Sequence, residues 1–222
     1  MPTVAIMQPY FYPYAGYFRL FTHADLFVVL DCVQFPRRGW VHRNRLTAAD
    51  GNLNWLTLGL AYAPQQALIR DLQFAPDAAD RLREDLRRFP ALAAPQAAAR
   101  LAELPLLDAQ GSVVDYLETN LRAVLRTIGA RCHMVRSSSL AIDPQLRAQA
   151  RILEIAAQVG ATRYLNAPGG AALYDAAAFA ARGLELAFLD PWCGDGASML
   201  ERLCRDDPAV LRRELTAPSS AG

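Results

Sequence analysis

Two hydrophobic rhythms alternate through the first thirty residues. Residues 3–7 are short, apolar and β-prone, and residues 26–30 form a continuous apolar run of the kind buried on both faces of a parallel sheet. Between them Tyr17, Leu20, Phe21 and Ala24 recur at helical spacing. Strand, short helix and strand make a βαβ unit, whose right-handed crossover sets the two strands parallel. Gln8 and Asp31 then fall at one carboxyl edge, where open α/β sheets place their ligands.

The rhythm changes twice more. Asp50-Gly51 is a turn dipeptide between β-prone flanks at 45–47 and 53–58, which predicts a hairpin. After Pro64 the spacing turns helical. Residues 76–89 read as an amphipathic surface helix, and residues 91–107 as an alanine-rich helix broken by prolines near its ends. Residues 112–128 give the clearest helix, capped by Ser112 and ended by Gly129. Residues 65–128 thus read as a helical insert packed on the sheet. Strands at 132–135, 163–165 and 184–188 then alternate with helices at 145–159, 175–182 and 197–215. The expected fold is α/β: a three-layer sandwich around a mostly parallel sheet of about five strands, with a hairpin and a helical insert. Residues 1–215 would form a single domain and 216–222 a flexible tail.

Bulk properties narrow the function. The chain has 222 residues, 53% hydrophobic and 20% charged, which is globular composition. No apolar run approaches the ~20 residues of a spanning helix, and no basic region precedes an apolar one at the N-terminus. The expectation is a cytoplasmic protein with no membrane span. A formal charge of +1 creates no field for nucleic acid. All 23 basic residues are arginine, so Schiff-base chemistry and a phosphate loop with its lysine are excluded within the chain. Four cysteines without a CxxC pair, and three histidines, make a metal site unexpected; the thiols read as reduced. No dinucleotide fingerprint occurs, so no cofactor is expected.

Candidate chemistry gathers between Asp31 and Arg45. Gln34, Arg37, Arg38, Trp40, His42, Arg43, Asn44 and Arg45 crowd donors onto one short stretch, and Asp31 is the only acid between Asp25 and Asp50. Arginine's fixed fork of N–H donors suits carboxylate and phosphate, so the expectation is a pocket for an anionic or hydroxyl-rich metabolite. Tyr10, Tyr14 and Tyr17 crowd the loop after the first strand. Farther along, Asn166 brings an amide to the same edge, and Gly169 and Gly170 permit close approach of backbone to a ligand. Ser137-Ser138-Ser139 could be a phosphate-binding turn or a helix cap.

These residues also carry a resemblance. Gln8-Pro9-Tyr10-Phe11, Pro13-Tyr14, Gly16-Tyr17, Asp31-x-Val33-Gln34-Phe35, Arg38-Gly39-Trp40, Arg43-Asn44-Arg45 and Asn166-x-x-Gly169-Gly170-x-x-Leu173-Tyr174 resemble the WbqC-like family from Ala5 to about Leu189. Cys32 stands where members often carry a second acid. The resemblance implies a place in bacterial O-antigen or other surface-polysaccharide biosynthesis, with acyl or aminoacyl transfer to an amino sugar. On that reading the substrate is a sugar nucleotide or other anionic metabolite, with an acyl or aminoacyl carrier as partner. Asp31 would either organise the arginines or accept the amine's proton, and Gln8, Gln34 and Asn44 would orient hydroxyls or an oxyanion. The arginines would hold phosphate or carboxylate, and the tyrosines and Trp40 would offer flat faces. Cys32 as a nucleophile would have only His42 near as a base. The alternatives are a non-catalytic module that binds a nucleotide sugar or glycan intermediate, or a divergent nucleotidyltransferase-like protein. The opening strand-Pro-x-x-Gly-Tyr-helix is similar in layout to nucleotidyltransferases, with Tyr17 in place of their histidine.

Overall fold

A computed structural model describes residues 2–217; most of the expected tail, residues 218–222, lies outside the described residues. β1 (Thr3–Met7), α1 (Ala15–Thr22) and β2 (Leu26–Val29) form the expected parallel βαβ unit, with Val4 opposite Leu26 and Met7 opposite Val29. The hairpin is β3 (Arg43–Thr47) and β4 (Leu53–Thr57), turned at Gly51, whose φ of 79° favours glycine. It forms a separate two-stranded sheet.

The helical stretch comprises α2 (Ala78–Leu86), α3 (Pro90–Ala93), α4 (Pro95–Ala102) and α5 (Val113–Thr127). Pro95 lacks the N–H that would carry α3 onward, so the alanine-rich segment divides there. Ser112 caps α5 by accepting from the Asp115 N–H at 3.3 Å, and Gly129 beyond its end takes a φ of 67°. β5 (His133–Arg136), α6 (Ala148–Gln158), β6 (Arg163–Asn166), α7 (Ala176–Ala180) and β7 (Glu185–Phe188) complete the α/β alternation. The expected last helix is two: α8 (Met199–Arg205) and α9 (Pro208–Thr216). Pro208 cannot continue the hydrogen-bond ladder, and Asp207 starts the second helix by accepting from the Ala209 N–H at 2.7 Å.

All five strands of the main sheet are parallel, in the order β5-β2-β1-β6-β7. The period of two along each strand divides the core. Ala5, Phe27, Val29 and Leu165 face α1, α5, α8 and α9, where Phe21 stacks on Phe27 at 4.0 Å. Val4, Ile6, Val28 and Tyr164 face Ile152, Ile155 and Ala156 of α6 and Phe179 of α7. Helices on both sides make the three layers. The carboxyl ends of the strands therefore bring Gln8, Asp31, Ser137, Asn166 and Leu189 to one edge. Among the described residues no helix is long and apolar enough to cross a membrane.

Candidate functional site

The loop after β1 is clamped from two sides. Asn44, buried in β3, donates from its amide to the carbonyls of Phe11 (3.1 Å) and Tyr12 (2.5 Å). Ser198, at the cap of α8, donates to the same Tyr12 carbonyl at 2.7 Å. Tyr12 itself takes a φ of 42°, and its hydroxyl donates to Asn120 of α5. A non-glycine residue in the left-handed region persists only where its surroundings over-determine it.

The clamp opens a cavity of about 500 Å³ between the tyrosine loop, the hairpin and the start of α8. Tyr10, Tyr14, Trp40, Asn44 and Arg45 line it, joined by Asp195, Glu201 and Arg205. Trp40 and Trp55 lie 5.3 Å apart, and the Arg45 guanidinium sits 5.5 and 5.4 Å from their ring centres. Arg45 makes no ion pair among the described residues. Arg43 lies 4.1 Å over Trp55, with two of its three nitrogens donating to the carbonyls of Gly39 and Arg38. Glu201 accepts from the Thr47 N–H at 3.0 Å, and Asp195 pairs with Arg205. Burial works against ionisation of Asp195, but the Ala197 N–H and the Arg205 guanidinium outweigh it and hold the carboxyl below its usual range. Burial raises the pKa of Tyr10 and of Tyr14, so both are hydroxyl donors at neutral pH.

A second cavity, about 400 Å³, opens where β2 and β5 end. Gln34 lines it with Cys32, Ser137, Ser138, Arg147 and Arg151. Asp31 lies fully buried beneath. Its carboxylate accepts from the hydroxyls of Ser137 (2.8 Å) and Ser138 (2.5 Å) and from the Ser138 N–H (2.9 Å). It makes no ion pair with the arginines at 37–45 among the described residues. The three serines are a 3-10 turn that seats this carboxylate. The Cys32 sulfur has the Ser137 hydroxyl and the Arg151 guanidinium each at 3.1 Å. His42 is not among its partners.

The remaining candidates disperse. Tyr17 is core, its hydroxyl donating to the Gln8 carbonyl at 2.7 Å. Arg37 reaches the Ala63 carbonyl at 2.5 Å, Arg38 is exposed, and Gln34 donates to the Gln65 carbonyl at 2.8 Å. His42 packs edge-on against Phe35. Burial, with Arg43 and Arg37 adding to it, lowers its pKa to about 4 and keeps it neutral at neutral pH. Asn166 accepts from the Ala167 N–H at 2.8 Å, and a Cβ on Gly170 would fall 2.5 Å from its amide nitrogen. Gly170 is thus small to clear Asn166, whereas a Cβ at Gly169 would meet nothing within 4 Å. Tyr174 packs on Phe179 and shares a 3.2 Å hydroxyl contact with Tyr164.

Sequence reasoning missed Asp195, just before the expected last helix, and Glu201 and Arg205 inside it. It also missed Arg147 and Arg151, because Asp143 four before the first and Glu154 three after the second read as ordinary helical charge pairs. Among the described residues no cluster of three or more His, Cys, Asp or Glu could hold a metal.

A five-stranded parallel sheet sheathed by helices, with cavities built from the loops after β1, β2 and β5, defines a three-layer α/β protein. Within that class, the profile of the WbqC-like protein family matches residues 8–193, and the chain belongs to that family. It is also 40% identical over 58 residues to a Mycobacterium tuberculosis (strain ATCC 25618 / H37Rv) protein described as "Uncharacterized protein Rv1507c". That match covers 26% of this chain and 25% of the mycobacterial one. No solved structure matches significantly.

Proposed function

We propose that the protein transfers an acyl or aminoacyl group to the amine of a nucleotide-linked amino sugar during surface-polysaccharide biosynthesis. The observation that carries this reading is the cavity of about 500 Å³ in which Tyr10, Tyr14 and Trp40 meet Arg45, a cation without a carboxylate partner among the described residues. Flat aromatic faces suit the apolar side of a sugar ring, tyrosine hydroxyls and Glu201 suit its polar edge, and Arg45 suits the diphosphate. The amine would attack the carbonyl carbon of a thioester, the carbon–sulfur bond would break, and the thiol would leave. Asp31, its carboxylate bonded by Ser137 and Ser138, would hold the serine turn. Of the two carboxylates that line the cavity, Asp195 is exposed and Glu201 buried; Asp195 would take the amine's proton by giving up its contact to the Ala197 N–H or to Arg205.

The test combines purified protein, a uridine-diphosphate amino sugar and an acyl thioester, with the product sought by mass spectrometry and binding followed by tryptophan fluorescence. The acylated sugar nucleotide is the expected product, lost with Trp40→Ala. Quenching without product would favour the non-catalytic binding module, which the enclosure of Asp31 also supports. No quenching at all would remove the sugar from this cavity.

A further inference from the structure

The second cavity carries a separate inference. Arg151 is only 7% exposed, yet every partner of its guanidinium is uncharged. It donates to the carbonyls of Leu146 (2.9 Å), Cys32 (2.5 Å) and Pro144 (3.1 Å), and to the Cys32 sulfur (3.1 Å). Arg202, as deeply buried, has Asp206 and Glu214 as counter-charges. A buried cation without an anion is strongly disfavoured unless something supplies the charge. Asp31 does not, because its oxygens are turned to Ser137 and Ser138 and it makes no ion pair among the described residues.

Other features of the same cavity point the same way. Arg147, one turn before Arg151, is exposed on the cavity wall and bonds only to the carbonyls of Pro144 and Leu146. Arg70 stands on the wall too, sharing its charge with Asp71 at 3.6 Å. No side chain caps α6, and its first residue, Ala148, takes a φ of 43° while lining the cavity. Left-handed backbone at a non-glycine residue is a form of strain that gathers at ligand sites. The first-turn N–H groups of a helix carry partial positive charge.

We propose that this cavity binds an oxyanion, a phosphate or carboxylate group, between Arg147 and Arg151 beside the serine turn. It shares no lining residue with the aromatic cavity, so the inference stands without the sugar reading.

Isothermal titration of the whole chain with inorganic phosphate, at low ionic strength and neutral pH, is the test. One saturable site is expected, weakened about tenfold to a hundredfold by Arg147→Ala, the loss of one charge-assisted contact. Arg147 is exposed, so the fold should survive; circular dichroism checks this. Trp40→Ala should leave phosphate affinity unchanged, which separates failure here from failure of the aromatic cavity. Tighter phosphate than acetate would identify a phosphate-bearing ligand, and the reverse a carboxylate; either supports the site. Absence of saturable heat with both anions, or an affinity unmoved by Arg147→Ala, would overturn it.

Discussion

Ser138 grips Asp31 with two groups at once. Its hydroxyl lies 2.5 Å from one carboxylate oxygen and its backbone N–H 2.9 Å from the other. Asparagine at 31 would turn an amide donor toward one of these donors. Asp31→Asn is therefore expected to lower stability by about 1–3 kcal/mol, the cost of buried donors left unpaired. Urea unfolding measures the loss. Sugar-nucleotide binding by the folded variant should stay within a few-fold. A stable variant with greatly reduced turnover would instead return the proton-accepting role to Asp31.

Arg43 and Arg45 are expected to behave differently. Arg45→Ala should weaken binding of a uridine-diphosphate sugar by about 1.5–3 kcal/mol, the usual worth of a hydrogen bond to a charged group. Arg43 already gives two of its three nitrogens to Gly39 and Arg38 and stacks on Trp55. Arg43→Ala should cost less than about 1 kcal/mol in affinity and about as much in stability through the lost stacking. Titration calorimetry and thermal unfolding separate the two.

Asn44→Ala should be the most damaging single change in the hairpin. It removes the donor to the Phe11 carbonyl, one of the two donors to the Tyr12 carbonyl, and the acceptor of the Arg45 N–H at 2.7 Å. A loss of about 1–3 kcal/mol is expected, because the buried Phe11 carbonyl loses its side-chain donor while Ser198 still holds that of Tyr12. Unfolding should show it, together with weakened quenching of Trp40 by ligand.

His42 sets a pH dependence. Its folded pKa is about 4, below the value near 6.5 of an unfolded histidine. Between these values the unfolded chain binds a proton that the folded chain does not. Stability should therefore fall as pH drops through that window and lose nothing more from this group below it. Partial exposure of the ring discounts the effect to about 1–2 kcal/mol. His42→Phe should flatten this acid limb. It should cost little at neutral pH, because Nδ1 is buried without a partner among the described residues.

The sheet was legible because its signals are local. Val4 and Ile6 against Ala5 declare two buried faces, Ser112 and Gly129 bracket α5, and Asp50-Gly51 turns the hairpin. The directions of polar side chains were not. Within β3 the pleat sends Arg43 and Arg45 to the tryptophan face and Asn44 inward to the tyrosine loop, so neighbours in sequence serve opposite sides. Arg151 was invisible for a different reason. It meets Cys32 from 119 positions away, and only the crossover of the sheet brings the two together.

That separation also bears on the order in which the molecule assembles. Asp31 and Ser137 are 106 positions apart, joined by the hairpin and four helices. β1 can meet β2 after a short crossover, whereas β5 must wait until that long excursion has closed. Distant pairings of this kind slow folding more than they weaken the finished fold. β5 also lies at the sheet's edge, held by β2 alone. The serine turn and the cavity beside it would thus form after the β1–β2 pair and come apart before it. In hydrogen exchange, the amides of Met134 and Val135 should open ahead of those of Ala5 and Phe27, and bound phosphate should slow them.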